Sequence, residues 1–170
     1  AGLSYLPLAL AIMGASVVAS QLVTRIGFKP VLATGMGLIA VALVWFSQVS
    51  VGGGFLTDIL GPSLLAATGL GFGFVTSTIA AVSGVEAREQ GLASSLINTS
   101  QQIGGALGIA VLSTIATSRT EDAVAAGTAL PAALVDGFTM AFIVGLAIAA
   151  LGIVAAFVLI SREELAQAPE

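Results

Sequence analysis

From residue 30 to residue 57 the sequence contains not one ionisable side chain, and the same is true from 59 to 85, from 90 to 118 and from 137 to 161. A helix that crosses a bilayer needs about 20 mostly apolar residues, roughly 30 Å at 1.5 Å per residue. Five stretches meet that length: 3–24, 30–48, 59–83, 90–116 and 137–160. Barrel strands are the poor alternative. They alternate apolar and polar residues over about ten positions, whereas these runs continue without alternating, and their abundant Gly and Ala are weak strand formers. The expected fold class is therefore all-α, a polytopic transmembrane bundle of about five spans within 1–161, followed by a polar tail over 162–170.

Composition supports lipid as the solvent. Hydrophobic residues make up 57% of the chain and charged ones 8%, against about 25% charged in an ordinary soluble domain. A soluble protein could not cover its surface with so few charges. Aromatics are only 6% and glycines number 21, so the apolar content is aliphatic and small, which suits helices packed closely in lipid. There is no Cys and no His. That excludes disulfides, thiolate chemistry, His-based acid–base catalysis and His metal sites. With no buried acid pair either, an intramembrane enzyme lacks its usual catalytic groups. The net charge of -4 gives no basic footprint for nucleic acid. No cofactor or metal is expected.

Punctuation agrees with these boundaries. Pro7 is expected in the first turn of its helix, Pro30 suits a first helical position, and Gly61-Pro62 lies near the start of the third span. Gly84 is a plausible C-terminal stop and Asp136 a plausible N-cap. The connections are then 25–29, 49–58, 84–89 and a long one, 118–136, rich in Ala, Thr and acid. The chain begins without an initiator Met or a basic n-region, so it reads as the middle of a longer polypeptide. Arg25, Lys29, Arg88 and Arg162 fall on one side of the bundle and Arg119 on the other. By the positive-inside rule the 25–29 turn and the C-terminus are expected in the cytoplasm, in a multi-pass protein of the plasma (cell inner) membrane.

Four groups of residues carry functional information. The first is the turn Arg25-Ile-Gly-Phe-Lys29, in which Gly27 permits a tight reversal and the two cations meet helix ends and lipid head groups. The second is the fourth span. Ser94, Asn98, Gln101 and Gln102 recur at spacings that place them on one helical face. Amides facing lipid are costly, so this face is expected to point into protein, as interhelical glue, or into a watery cavity. The third is a pair of small-xxx-small motifs, Gly69 with Gly73 and Gly104 with Gly108, expected to pack helices closely. The fourth is the acid inventory: no acid lies deep in any span, and Asp58, at the outer end of the third, is nearest, as a loop or cap residue.

The basic turn resembles the loop signature of the major facilitator superfamily, Gly-x-Leu-x-Asp-Arg-x-Gly-Arg-Lys. Leu22, Arg25, Gly27 and Lys29 match it, and Ser20, Thr24 and Phe28 depart from it. The stretch from Glu86 to Leu112, with its Gly-Leu-Ala-Ser-Ser start, Asn98, Gln101-Gln102, Gly104-Gly105 and Gly108, resembles the penultimate helix of that superfamily's fourteen-span drug:proton antiporters. The resemblance covers essentially the whole chain. It implies the last five helices of a transporter, part of the C-terminal half of a major facilitator fold, with the N-terminal helices supplied by the rest of the polypeptide. It further implies alternating access, a proton gradient as energy source, a main proton carrier outside these residues, and a small amphiphilic or cationic substrate. Under it the third span lines the central cavity, which makes Phe72 and Thr76 candidates for substrate contact beside Ser94, Asn98, Gln101 and Gln102. The alternatives are a non-transporting membrane scaffold or partner subunit, and a carrier of the same fold for another small solute.

Overall fold

The computed structural model describes residues 2–83 and 85–159. It holds five α-helices and no strand among them: α1 (Gly2–Ile26), α2 (Phe28–Phe46), α3 (Gly61–Val82), α4 (Gln90–Ala125) and α5 (Leu130–Leu159). One turn of π-helix, Phe55–Leu60, leads into α3. Four of the helical segments are long and apolar enough to cross a membrane, namely Tyr5–Ile26, Phe28–Phe46, Phe55–Val82 and Leu130–Ala156. The fourth expected span, 90–116, is fully helical within α4 but does not reach the same apolarity. Its Ser, Asn and Gln residues dilute the run, so of the expected five spans it is the one that lipid alone would not solvate well.

The bundle is built from two units. In the first, α3 lies between α1, which runs parallel to it, and α2, which runs antiparallel. Their shared core is Ala15, Ala19, Val31 and Phe72, flanked by Leu22, Val23 and Val75. Small residues set the spacing. A Cβ on Gly71 would lie 2.7 Å from the Ile12 carbonyl oxygen and 2.8 Å from the Ala15 Cβ. A Cβ on Gly35 would lie 2.7 Å from that of Phe72, and one on Gly69 would lie 2.6 Å from the Gly35 carbonyl oxygen. Side chains larger than hydrogen at these positions would hold the backbones apart.

The second unit is the hairpin of α4 and α5, which docks on the first mainly through α5 on α2, with a smaller contact of α4 on α3. The Phe46 and Phe142 rings stack with centroids 4.9 Å apart. Gly145 sits against Leu43 and Leu112, and Gly152 faces the Met36 methyl. This pairing matches the top of α2 to the middle of α5. The part of α5 before Phe142 therefore extends past the end of α2 by roughly 18 Å, at 1.5 Å per residue. On the same rise α4 is about 54 Å long, well over the roughly 30 Å of a hydrocarbon core.

That extension corrects the expectation of a long connection over 118–136. Only residues 126–129 are non-helical. The Ala-rich stretch after Arg119 is a good helix former, and its acids are solvated on the surface of α4. Gly127, at φ +88°, closes the helix. Its N–H donates to the Val124 carbonyl at 2.9 Å, and that of Thr128 donates to the Ala123 carbonyl at 3.0 Å, the Schellman pattern. Asp136 is likewise no N-cap: it lies inside α5 and pairs with Arg119 at 3.0 Å, the only salt bridge among the described residues. The Thr120 hydroxyl contacts the Ala133 carbonyl at 3.3 Å, and Gly137 lets α5 close on Ala116 and Thr120. Pro7 is carried inside α1, past its first turn. Gly84 and the tail 162–170 lie outside the described residues.

Candidate functional site

Helix α4 is the most exposed element of the bundle, with no buried residue among those described. It packs chiefly against α5, and against α3 more slightly. Ser94 and Gln101 are half-buried, and Asn98 and Gln102 are exposed. None of the four side chains donates to or accepts from another described residue within hydrogen-bonding distance, whereas the neighbouring Ser95 and Thr99 hydroxyls turn back to the Leu92 and Ser95 carbonyls at 2.8 Å each. The structure thus brings Ser94, Asn98, Gln101 and Gln102 onto one flank of α4, and their polar groups have no partner within the described bundle. Amides in that position hydrogen-bond whatever comes against the helix: water, a solute, or another helix.

The glycines beside them behave similarly. A Cβ on Gly104 or Gly108 would meet no atom within 4 Å among the described residues. Among the described residues, then, no neighbouring helix packs against this pair. On α3, Gly69 is in tight contact with α2, and the Gly73 nitrogen lies 3.2 Å from where a Gly35 Cβ would stand, while a Cβ on Gly73 itself would meet nothing within 4 Å. The close approaches run through Gly35 and Gly71, which the four-residue spacing motif does not single out because each works with a partner on another helix.

Phe72 and Thr76 are both buried on α3. Phe72 is 8% exposed within the α1–α2–α3 core, and Thr76 is wholly buried in α3. Phe72 belongs to the α1–α2–α3 core, whereas the α4 residues lie on a helix with no buried residue among those described. Thr76 is nevertheless unusual: its hydroxyl has no hydrogen-bond partner, whereas Thr68 and Thr78 on the same helix each donate to the carbonyl four residues back at 2.8 Å.

At the opposite end from the α4–α5 tip, Gly27 links α1 to α2. Its N–H donates to the Val23 carbonyl at 3.0 Å, and its φ of 81° and ψ of 168° fall in a region essentially reserved for glycine. One residue thus reverses the chain between two spans. Arg25 and Lys29 flank it, Arg25 exposed and Lys29 half-buried, at the facing ends of α1 and α2.

A chain of membrane-spanning helices with one polar-sided helix on its flank is the class that fold and site define. In sequence it is similar to a puromycin resistance protein of Streptomyces alboniger, 34% identical over 97% of this chain and 34% of that one. It is also similar to a cephamycin export protein of Amycolatopsis lactamdurans, 33% identical over 90% of this chain and 30% of that one. A lincomycin resistance protein of Streptomyces lincolnensis is 33% identical over 65% of this chain and 23% of that one. The chain spans about a third or less of the length of these relatives. No family model matches it. The protein is a multi-pass membrane chain related to antibiotic resistance and export proteins.

Proposed function

We propose that the chain is the C-terminal part of a proton-coupled multidrug efflux antiporter of the major facilitator type, working by alternating access in the plasma membrane with its C-terminus in the cytoplasm. The observation that carries this reading is the uncovered polar flank of α4 in a chain similar to antibiotic export proteins. An amide-lined flank is expensive against lipid and useful against a solute path. In this reading Ser94, Asn98, Gln101 and Gln102 face the path taken by small amphiphilic or cationic substrates. The bare Gly104–Gly108 edge receives a helix from the remainder of the transporter. The Arg25-Gly27-Lys29 turn marks the cytoplasmic face. The proton carrier is supplied outside these residues, since no acid lies deep in the described spans.

The test is efflux of a cationic dye from cells lacking their own exporters, expressing the full-length transporter, with and without a protonophore. Gradient-dependent efflux that falls at least about tenfold in the Asn98→Ala/Gln101→Ala double variant, at equal expression, is the expected result. A tenfold change matches the loss of one or two hydrogen bonds to a bound solute. Efflux that ignores the gradient, or that the double variant leaves unchanged, would remove the proposal.

A further inference from the structure

Helices α2 and α5 run antiparallel in one register, and that register brings a basic turn beside an acidic stretch of sequence. Phe46 stacks on Phe142, Leu43 packs on Gly145, and the Met36 methyl faces Gly152. A step of three residues and then one of seven along α2 are matched by equal steps along α5. Seven residues further, the same register pairs Lys29 on α2 with Leu159, where α5 ends. The chain therefore leaves α5 at the level of the Arg25–Lys29 turn. Its next residues, Ser161-Arg-Glu-Glu-Leu-Ala-Gln-Ala-Pro-Glu170, hold three acids and one cation. The turn holds two cations and no acid. No described residue neutralises them: Arg119–Asp136, at the far tip, is the only salt bridge among the described residues. Glu86 and Glu89, in the connection that follows α3 at this same end, make none with either cation.

We propose that the segment 161–170 docks on the Arg25–Lys29 turn, with Glu163 and Glu164 set against its two cations, so that the chain following α5 closes over the reversal between α1 and α2. Reach is sufficient. Packed helices stand about 8–10 Å apart, and the four or five residues from Leu159 to these acids extend about 13–18 Å. Charge matches: the segment's side chains sum to two negative charges and the turn's to two positive. Exposed ion pairs are weak one at a time, but a tethered partner acts at an effective concentration on the order of millimolar. Anionic head groups compete for the same two cations. The segment holds the advantage of being attached beside them. A docked segment shields the turn from those lipids, and a membrane rich in anionic lipid displaces it. The docking stands on register and charge and does not depend on the transport reading.

The sequence contains no cysteine, so cysteines introduced for spin labels stand alone. The experiment is an electron-spin distance measurement between labels at Ile26→Cys and Leu165→Cys, both uncharged positions, with the chain in nanodiscs of neutral phosphatidylcholine. At about 10 mM salt, where screening is weak, the labels should show a short-distance population. That population should fall about threefold to fivefold at about 1 M salt, and equally in Glu163→Gln/Glu164→Gln at low salt, the scale of exposed ion pairs. Arg25→Glu/Lys29→Glu should lose it as well. Adding Glu163→Lys/Glu164→Lys to that variant should restore it, a rescue that a merely structural role of the turn would not give. If the reversed turn folds poorly, the Gln variant decides alone, because it leaves every span unchanged. No short-distance population at low salt, which would leave the turn to lipid phosphates, overturns the docking. So does a population indifferent to salt and to the Gln variant.

Discussion

Gly69 and Gly73 lie one turn apart on α3, yet the structure assigns them opposite responses to the same added methyl group. At Gly69 a Cβ would stand 2.6 Å from the Gly35 carbonyl oxygen and 2.7 Å from Ile39 Cγ1. An ordinary contact begins near 3.4 Å, so α2 and α3 would have to part by about 0.8 Å at that point. A gap of that size forfeits a quarter to a half of the dispersion attraction of each atom pair along the seam, and overpacking of this kind costs about 1–3 kcal/mol. At Gly73 the methyl meets nothing within 4 Å. Both substitutions gain the helix preference of Ala over Gly, about 1 kcal/mol, and that gain cancels when the two are compared. Gly73→Ala should therefore be neutral or stabilising, and Gly69→Ala should fall below it by about 1–3 kcal/mol, the packing cost alone. The assay is denaturation of the 170-residue chain by rising SDS in mild-detergent micelles, followed by circular dichroism. Equal midpoints, or the reverse order, would refute the placement of the Gly69 methyl in the seam and the Gly73 methyl in open space.

Two other substitutions probe single polar groups. Thr76→Val keeps the side-chain shape and deletes a buried hydroxyl that has no partner. It should leave the chain as stable or raise stability by up to about 1–3 kcal/mol, read in the same denaturation. The Arg119–Asp136 pair, with side chains 51% and 43% exposed, should yield a coupling of no more than about 1 kcal/mol in a double-mutant cycle, shrinking as salt is added. A larger, salt-insensitive coupling would mean the tip of the hairpin is shielded from water.

Much of the helical layout is legible in the residues themselves. Runs free of ions for the length of a bilayer leave helices as the answer, and Gly27 between Arg25 and Lys29 marks a reversal that the backbone angles require. Helix contacts are less legible. The Gly104–Gly108 motif is a property of one helix, whereas a close approach needs two, so the glycines that pack, Gly35, Gly69 and Gly71, are identified only once α1, α2 and α3 lie side by side. The stretch 118–136 misleads for a different reason. Its charges signal water, and water does reach it, but solvation and helicity are compatible: Arg119 and Asp136 join two helices that leave the apolar layer together. The π-turn before Pro62 was likewise invisible, because a proline near a helix start is ordinary and the wide turn depends on where the Asp58 carbonyl can go. The common flank of the α4 polar residues follows from spacing alone, while Phe72 and Thr76, drawn in by resemblance, are buried on α3, Phe72 within the α1–α2–α3 core.

The paired ends of α4 and α5 stand beyond α2 like a mast fixed to a deck. Their foot is clamped by the Phe46–Phe142 stack and their top is free at Gly127. A lean of about 10° at the foot would carry the top sideways by about 3 Å over an 18 Å arm. Small changes in how α5 sits against α2 are in this way magnified at a point that water, and any large molecule dissolved in it, can reach without entering the lipid.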